Sequence, residues 1–368
     1  GSGQVNQVQI NSSRPVHASR IFHGKELQEV LNTLPLLFSV CGTAQACAGV
    51  RASEQALGMT PSPCIEGQRD SLVRMESLRE QLWRILLEWP GFLDEAPEQQ
   101  GMRLALELQH EHRQLVTDGR NPFLLPGDGH HQDPVDMRGL LQRLSGFLEV
   151  MVFGMPSGEW LAITNIQGLG DWAGAGTTQS ARALGFIMGQ GWRELGRCEA
   201  EPLPDMDTGQ LHRLLQDDRF VEQPQWQDGC RETTSCTRTD SRLLQQLRSE
   251  YGNGLLVRLV ARLTEIAQLS LRLGPDMPGA DGVGTGASNP GIAQVAAARG
   301  QLVHRVGLED GLVSSYQILA PTEWNFHPRG VVARALVTLK GDAKLMERQA
   351  HLLINAIDPC VGYTLTVG

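Results

Sequence analysis

Ala298-Arg299-Gly300-Gln301-Leu302-Val303-His304, then Leu308-Glu309-Asp310-Gly311, then Tyr316-Gln317-Ile318-Leu319-Ala320-Pro321-Thr322-Glu323-Trp324-Asn325-Phe326-His327-Pro328-Arg329, form the stretch on which the fold turns. Apolar runs on either side of Glu309-Asp310-Gly311 predict two strands, 294–306 and 311–319, closed by a tight turn. The region before them, 274–291, is rich in Gly, Pro and Asp and predicts a loop. Helices are expected at 330–339 and 343–357, and the second delivers Asp358-Pro359-Cys360.

Towards the N-terminus the patterns are helical. In 71–89, Leu72, Met75, Leu78, Leu82, Ile85, Leu86 and Trp89 recur with the 3.6-residue period, and Pro90-Gly91 ends it. Residues 99–117, 134–153, 180–188, 240–251 and 255–273 predict further helices, with a Gly/Pro-rich connection at 121–133. Residues 8–38 combine a strand-like start with an amphipathic stretch, 27–37. Val40-Cys41-Gly42 opens a run of small residues to Leu57, closed by Pro61 and Pro63. Such a helix can approach a neighbour or a buried ligand closely. Gly1-Ser2-Gly3 reads as a tag remnant and is set aside. The expected class is α+β, mostly α with a small β element. It is read as one domain over 4–368, with a helical centre at 65–275 and the hairpin, last helices and Asp-Pro-Cys in 292–368.

Of 368 residues, 41% are hydrophobic and 20% charged, enough for a substantial core. A net charge of -9, from 32 basic and 41 acidic residues, disfavours a general nucleic-acid binder. No polybasic patch marks a membrane surface. With neither a run of about 18 apolar residues nor a basic-then-apolar leader, no membrane span or secretory signal is expected. The cysteines, at 41, 47, 64, 198, 230, 236 and 360, are thinly spread and contain no Cys-x-x-Cys pair. They predict neither a disulfide framework nor a zinc knuckle, and the compartment expected is the reducing cytoplasm.

Cys41 stands at an expected helix N-terminus, where free N–H groups and the dipole favour a thiolate. Cys360 follows a turn after a long helix. From position alone, two metal ligands and two inert core cysteines both remain open. Cys47 points away from Cys41 and reads as a core residue. Cys64, Cys198, Cys230 and Cys236 have no ligand-like company in the sequence. His130-His131 permit a metal clip but fit a solvated loop better, and His110 and His112 alternate across a helix. Gly282-Val283-Gly284-Thr285-Gly286 lacks the preceding strand and the later acidic residue of a dinucleotide site. No nucleophile elbow, Walker loop or marked carboxylate pair is present, so the motifs predict no enzyme.

Three stretches, in order, resemble the nickel–iron hydrogenase large subunit. Val40-Cys41-Gly42-Thr43-Ala44 resembles the family's Arg-x-Cys-Gly-x-Cys motif, the block from Ala298 to Arg329 its Arg-Gly strand and Pro-Thr-Thr-Trp-Asn segment, and Ile357-Asp358-Pro359-Cys360 its terminal Asp-Pro-Cys-x-x-Cys. The resemblance implies a shortened large-subunit-like helical bundle that brings Cys41 and Cys360 together. The departures matter as much. The family's bridging thiols fall at Ala44 and Tyr363, its opening arginine at Ser39, and its processing-point histidine at Thr366. An alanine offers no donor and a phenol is a poor substitute for a soft bridging thiolate, so a four-thiolate site cannot form.

The pattern is similar to that of HupK/HoxV-type hydrogenase accessory proteins. That resemblance implies a scaffold for an iron carrying two cyanides and one carbon monoxide, Fe(CN)2(CO), without nickel. Cys41 and Cys360 are the implied metal ligands; Arg299, Thr322, Ala320 and Asp358 are the implied cofactor-binding residues. Cyanide nitrogen accepts hydrogen bonds, so a guanidinium and a hydroxyl suit it. The implied partners are the hydrogenase large-subunit precursor and the HypC/HypD-type complex that assembles the iron group, with neither nucleic acid nor membrane. A metal-free chaperone mimicking the large subunit and a divergent active hydrogenase are the alternatives.

Overall fold

The computed structural model describes residues 3–12, 14–38, 40–125, 137–274 and 288–367; Ser39, His130-His131 and 282–286 lie outside them. The N-terminal half contains α1 (Leu27–Leu37), α2 (Gly42–Leu57), α3 (Pro63–Trp83), α4 (Gln99–Thr117), α5 (Arg138–Leu148), α6 (Ser157–Leu161), α7 (Ile166–Ala175) and α8 (Gln179–Gly189). Then come α9 (Thr208–Leu214), α10 (Asp218–Glu222), α11 (Ser235–Arg238), α12 (Arg242–Tyr251) and α13 (Leu255–Ser270). The C-terminal part adds α14 (Pro321–Asn325), α15 (Val331–Leu336) and α16 (Ala343–Ile357). Short strands β1 (Gly3–Gln4) and β7 (Lys340–Gly341) pair antiparallel, and β2 (Glu201–Pro202) and β3 (Arg231–Glu232) parallel. The class is the expected one, mostly α with a small sheet.

That sheet is β4 (Gly291–Ala297), β5 (Gly300–Glu309) and β6 (Leu312–Leu319), antiparallel in the order β4-β5-β6. The single strand expected at 294–306 is therefore two, folded back at Ala298-Arg299. Gly300 there has φ 137, and a Cβ on it would lie 2.0 Å from Thr233 O. Only glycine tolerates that backbone and that approach. Asp310 and Gly311, both at positive φ, make the second turn as expected.

Small side chains set the packing of α2. Apart from Thr43, every residue from Gly42 to Glu54 is buried, between α1, α3 and the β4–β5 face. The backbones come so close that a Cβ at Gly291 would sit 2.0 Å from Ala52 O. On the other side α13 is buried from Leu255 to Ala267 and packs on α3, α11, α12 and α16. The main core draws on both ends of the chain, from Phe22 to Ile357. Burial on several faces is what a helix carrying apolar residues most of the way round requires.

Several boundaries differ from the sequence reading. Pro63 opens α3 instead of closing α2: Ser62 caps it, accepting from Ile65 N at 3.3 Å, while α2 ends at left-handed Gly58. The helix read over 71–89 turns π-helical at Arg84–Glu88 and 3-10 at Trp89–Leu93. Residues 5–12 pair in no strand, whereas Gly3, set aside as a tag remnant, pairs with Gly341. Helix 330–339 shortens to Val331–Leu336. Among the described residues no helix is long and apolar enough to cross a membrane.

Candidate metal centre

Cys41 precedes α2 and Cys360 ends the turn after α16; both are half-buried. They are close enough that charge on Cys360 raises the pKa of Cys41. The expectation that the helix terminus would favour a Cys41 thiolate is not met. The first-turn N–H groups of Thr43 and Ala44 are taken by Glu76 of α3, at 2.7 and 3.0 Å. Burial, the second cysteine and Glu76 push the Cys41 thiol up to about 12. Burial also raises Cys360, against the opposing pull of Arg299 and Arg14. Without a metal both are thiols at neutral pH.

Asp358 organises the Cys360 turn. It sits at φ 71, its N–H closing on Ile354 O at 2.8 Å. Its carboxylate accepts from Arg84 Nε at 2.8 Å, Arg299 Nε at 2.9 Å and Arg262 Nη1 at 3.1 Å. Burial opposes ionisation, yet Arg299, Arg262 and Arg84 together hold it below the usual carboxylate range. Arg84 lies in the π-helical turn and also donates to Pro359 O at 3.2 Å. A π turn at a ligand-bearing site is a recurrent association. Asp358 is thus corrected from cofactor contact to anchor: an anionic acceptor saturated by three guanidinium groups has nothing to donate to cyanide.

Arg299 leaves the β4–β5 turn with its carbonyl fixed by Asn325 Nδ2 at 3.3 Å. Its Nη1 is paired with Glu80 Oε2 at 2.9 Å, and a guanidinium carries more N–H groups than Asp358 and Glu80 engage. Thr322, buried on α14, lies against the Cys360 turn: it accepts from Cys360 N at 3.4 Å and its hydroxyl bonds towards the Cys360 thiol. Ala320 offers only a buried methyl, because its N–H already donates to Glu323 Oε2 at 3.0 Å. Two thiols, a guanidinium with further N–H groups to give and a hydroxyl beside Cys360 make a donor set that fits an iron bearing acceptor ligands.

The two bridging positions are spent elsewhere. Ala44 is fully buried in the core, and the Tyr363 hydroxyl bonds His351 Nδ1 at 2.8 Å on the exposed side. Cys47 is fully buried, its thiol pushed up to about 12 by burial. Among the described residues no group of three or more His, Cys, Asp and Glu converges as a metal cage.

Sequence reasoning missed Arg14. Its guanidinium reaches across to bond Glu323 Oε1 at 2.8 Å and Oε2 at 3.0 Å, and it faces both cysteines electrostatically. It missed Glu76, Glu80, Arg84 and Arg262 as well. Cys230, judged to lack company, has its Sγ 3.2 Å from His327 Nδ1. Its partner is distant in sequence, which is why no local pattern announced it.

The family model for nickel-dependent hydrogenases matches residues 276–362. In architecture the chain is similar to the Ni-Fe-Se hydrogenase of D. vulgaris Hildenborough, with a TM-score of 0.69 at 17% identity over 97% of this chain and 94% of that one. It is 32% identical to the hydrogenase expression/formation protein HoxV of Cupriavidus necator, over 97% of this chain and 92% of that protein. To HupV of Azotobacter chroococcum, named likewise, it is 30% identical over 99% and 95%. A large-subunit-like fold, two remaining cysteines and identity along the whole length agree: the chain belongs to the HoxV/HupK/HupV family of hydrogenase expression/formation proteins.

Proposed function

We propose that this protein acts in hydrogenase maturation as a carrier of Fe(CN)2(CO), held by the thiolates of Cys41 and Cys360 without nickel and passed to the large-subunit precursor. The observation that carries this reading is the convergence of two half-buried thiols with the Arg299 guanidinium and the Thr322 hydroxyl. Iron(II) with two cyanides and two thiolates is a dianion. Arg14 and Arg299, each also paired with a carboxylate, are the cations that face Cys360 and can donate to such an anion. Strong-field cyanide and carbonyl leave iron needing few protein donors, whereas nickel would need the thiolates lost at Ala44 and Tyr363.

Protein purified anaerobically from cells with the complete maturation machinery is expected to show cyanide and carbonyl stretches in the infrared with about one iron per chain. Iron-free protein that still captures the large-subunit precursor would favour the metal-free mimic. Both the precursor and the HypC/HypD-type complex are expected to co-purify with the chain. Recovery of neither partner from maturing cells would count against a role in transfer.

Two further outcomes follow from the site's chemistry. Arg299→Lys is expected to lower iron retention about 10-fold or more, because an ammonium cannot bond Asp358 and reach cyanide as a planar fork does. Retention at the wild-type level in an iron-loss assay would remove Arg299 from the role. The second concerns pH. With both thiol pKa values raised, binding iron releases two protons, so apparent affinity is expected to fall about 100-fold per pH unit on acidification. A pH-independent off-rate and affinity between about pH 6 and 8, measured by iron release to a chelator, would contradict two thiolate ligands.

A further inference from the structure

Behind Cys41 runs a buried chain of polar groups. Gln45 lies one helical turn after Cys41, and Gly49 one turn further on the same face of α2. Gln45 Nε2 lies 3.6 Å from Cys41 Sγ; its Oε1 lies 2.7 Å from His304 Nε2; His304 Nδ1 lies 2.9 Å from Tyr316 Oη. Gln45 and His304 are fully buried and Tyr316 nearly so.

With the Gln45 Oε1 facing His304, the donors and acceptors line up in one direction. Burial keeps His304 neutral, so its ring carries one hydrogen. An amide oxygen accepts only, so with Oε1 facing His304 that hydrogen is on Nε2. Nδ1 is then a bare acceptor and takes the Tyr316 hydroxyl hydrogen. Each group donates towards Cys41, and the last donor is the Gln45 amide. The far end is closed: Tyr316 packs edge-on to Phe22 at 5.2 Å, and a Cβ at Gly49 would lie 2.9 Å from its hydroxyl. A chain ending in the core ferries no protons to solvent. What it can do is hold a donor on a sulfur.

We infer that Gln45, His304 and Tyr316 form a positioning relay that keeps an N–H directed at the Cys41 sulfur and withdraws electron density from it. The opposite amide orientation would present Oε1 to Cys41 in place of the N–H. In that arrangement the amide N–H would meet a bare His304 Nε2 and the ring hydrogen on Nδ1 would meet Tyr316 Oη, so the position of the His304 hydrogen distinguishes the two. The inference rests on the cargo proposed above only for its spectroscopic consequence. A donor on the sulfur weakens sulfur-to-iron donation, lowers back-donation into carbon monoxide and raises the carbonyl stretch.

Two measurements test it. In iron-loaded protein, Gln45→Met, of similar volume but without a donor, is expected to lower the carbonyl stretch at reduced occupancy, and Tyr316→Phe to move it the same way by less. A carbonyl stretch at the wild-type position in Gln45→Met overturns the relay. In the iron-free, nitrogen-15-labelled full chain, His304 is expected to show a protonated Nε2 and an unprotonated Nδ1. The Gln45 side-chain amide resonance should move in both Cys41→Ala and Tyr316→Phe. An amide resonance unmoved in Cys41→Ala, or a His304 hydrogen on Nδ1, also overturns it. Wild-type protein without any carbonyl band would defeat the proposed cargo, while the resonances would still decide the relay.

Discussion

Cys41→Ala and Cys360→Ala, made separately, are each expected to abolish the cyanide and carbonyl bands and to reduce bound iron to background. Two thiolates are all the soft protein donors the centre retains, and one is insufficient to hold a metal group against thiols and chelators in the cell. The fold should survive. Both side chains are half-buried and neither caps α2 nor bridges elements, so each loss is expected to cost less than about 1 kcal/mol in denaturant unfolding. That separation is what gives the experiment its force: a lost band with an unchanged unfolding midpoint assigns the cysteine to the iron and not to the structure. Bands that persist in both variants would mean the group is held elsewhere. Stoichiometric nickel in the native protein would be a heavier failure, since Ala44 and the outward-turned Tyr363 leave it without its expected thiolates.

The fold was legible where periodicity carries the information. α1, α4 and α16 begin and end where the apolar pattern does, at Leu27–Leu37, Gln99–Thr117 and Ala343–Ile357. Legibility failed where tertiary contact overrides local pattern. The turn at Ala298-Arg299 sits inside an apolar run, and its chain reversal depends on Thr233 and Asn325, far away in sequence. The two thiols and Arg299 were marked by motif, but the electrostatics around them were not. Glu76 reverses the expected effect of the helix terminus from 35 residues further along the chain. One signal was present and unread. Arg258 and Arg262 stand at i and i+4 inside the apolar stripe of α13, where a buried arginine demands an anion. Their partners are Glu232 and Asp358.

Asp358→Asn is expected to be the most destabilising conservative change at the site, by about 3–5 kcal/mol, the usual cost of removing one partner from a buried ion pair. Its shape is preserved, so the loss is one of charge. The three arginines are not equally affected. Arg84 keeps Glu88 and Arg299 keeps Glu80, but Arg262, fully buried, keeps only Gln81 Oε1 and the carbonyls of Asn355 and Ala356. Most of the penalty is therefore the stranded Arg262 cation. Asp358→Asn combined with Arg262→Met should recover part of the stability, because the second change removes the charge left unpaired. The pH dependence has a definite sign. The folded-state carboxyl is held below the unfolded value of about 3.9, so the cluster's contribution is complete above roughly pH 5 and is lost as pH falls through the folded value. Urea unfolding of the four proteins of the cycle, at pH 7 and at about pH 3, inside the window where the contribution is being lost, reads both effects. A loss below about 1 kcal/mol at pH 7, or no recovery in the double variant, would show that Asp358 does not hold the Cys360 turn through its charge. The same variant tests what the anchor does for the centre. With Asp358 neutral, Arg299 and Arg84 keep an Oδ1 acceptor but lose the charge that fixes them beside the Cys360 turn, so iron retention should fall with both thiols still in place.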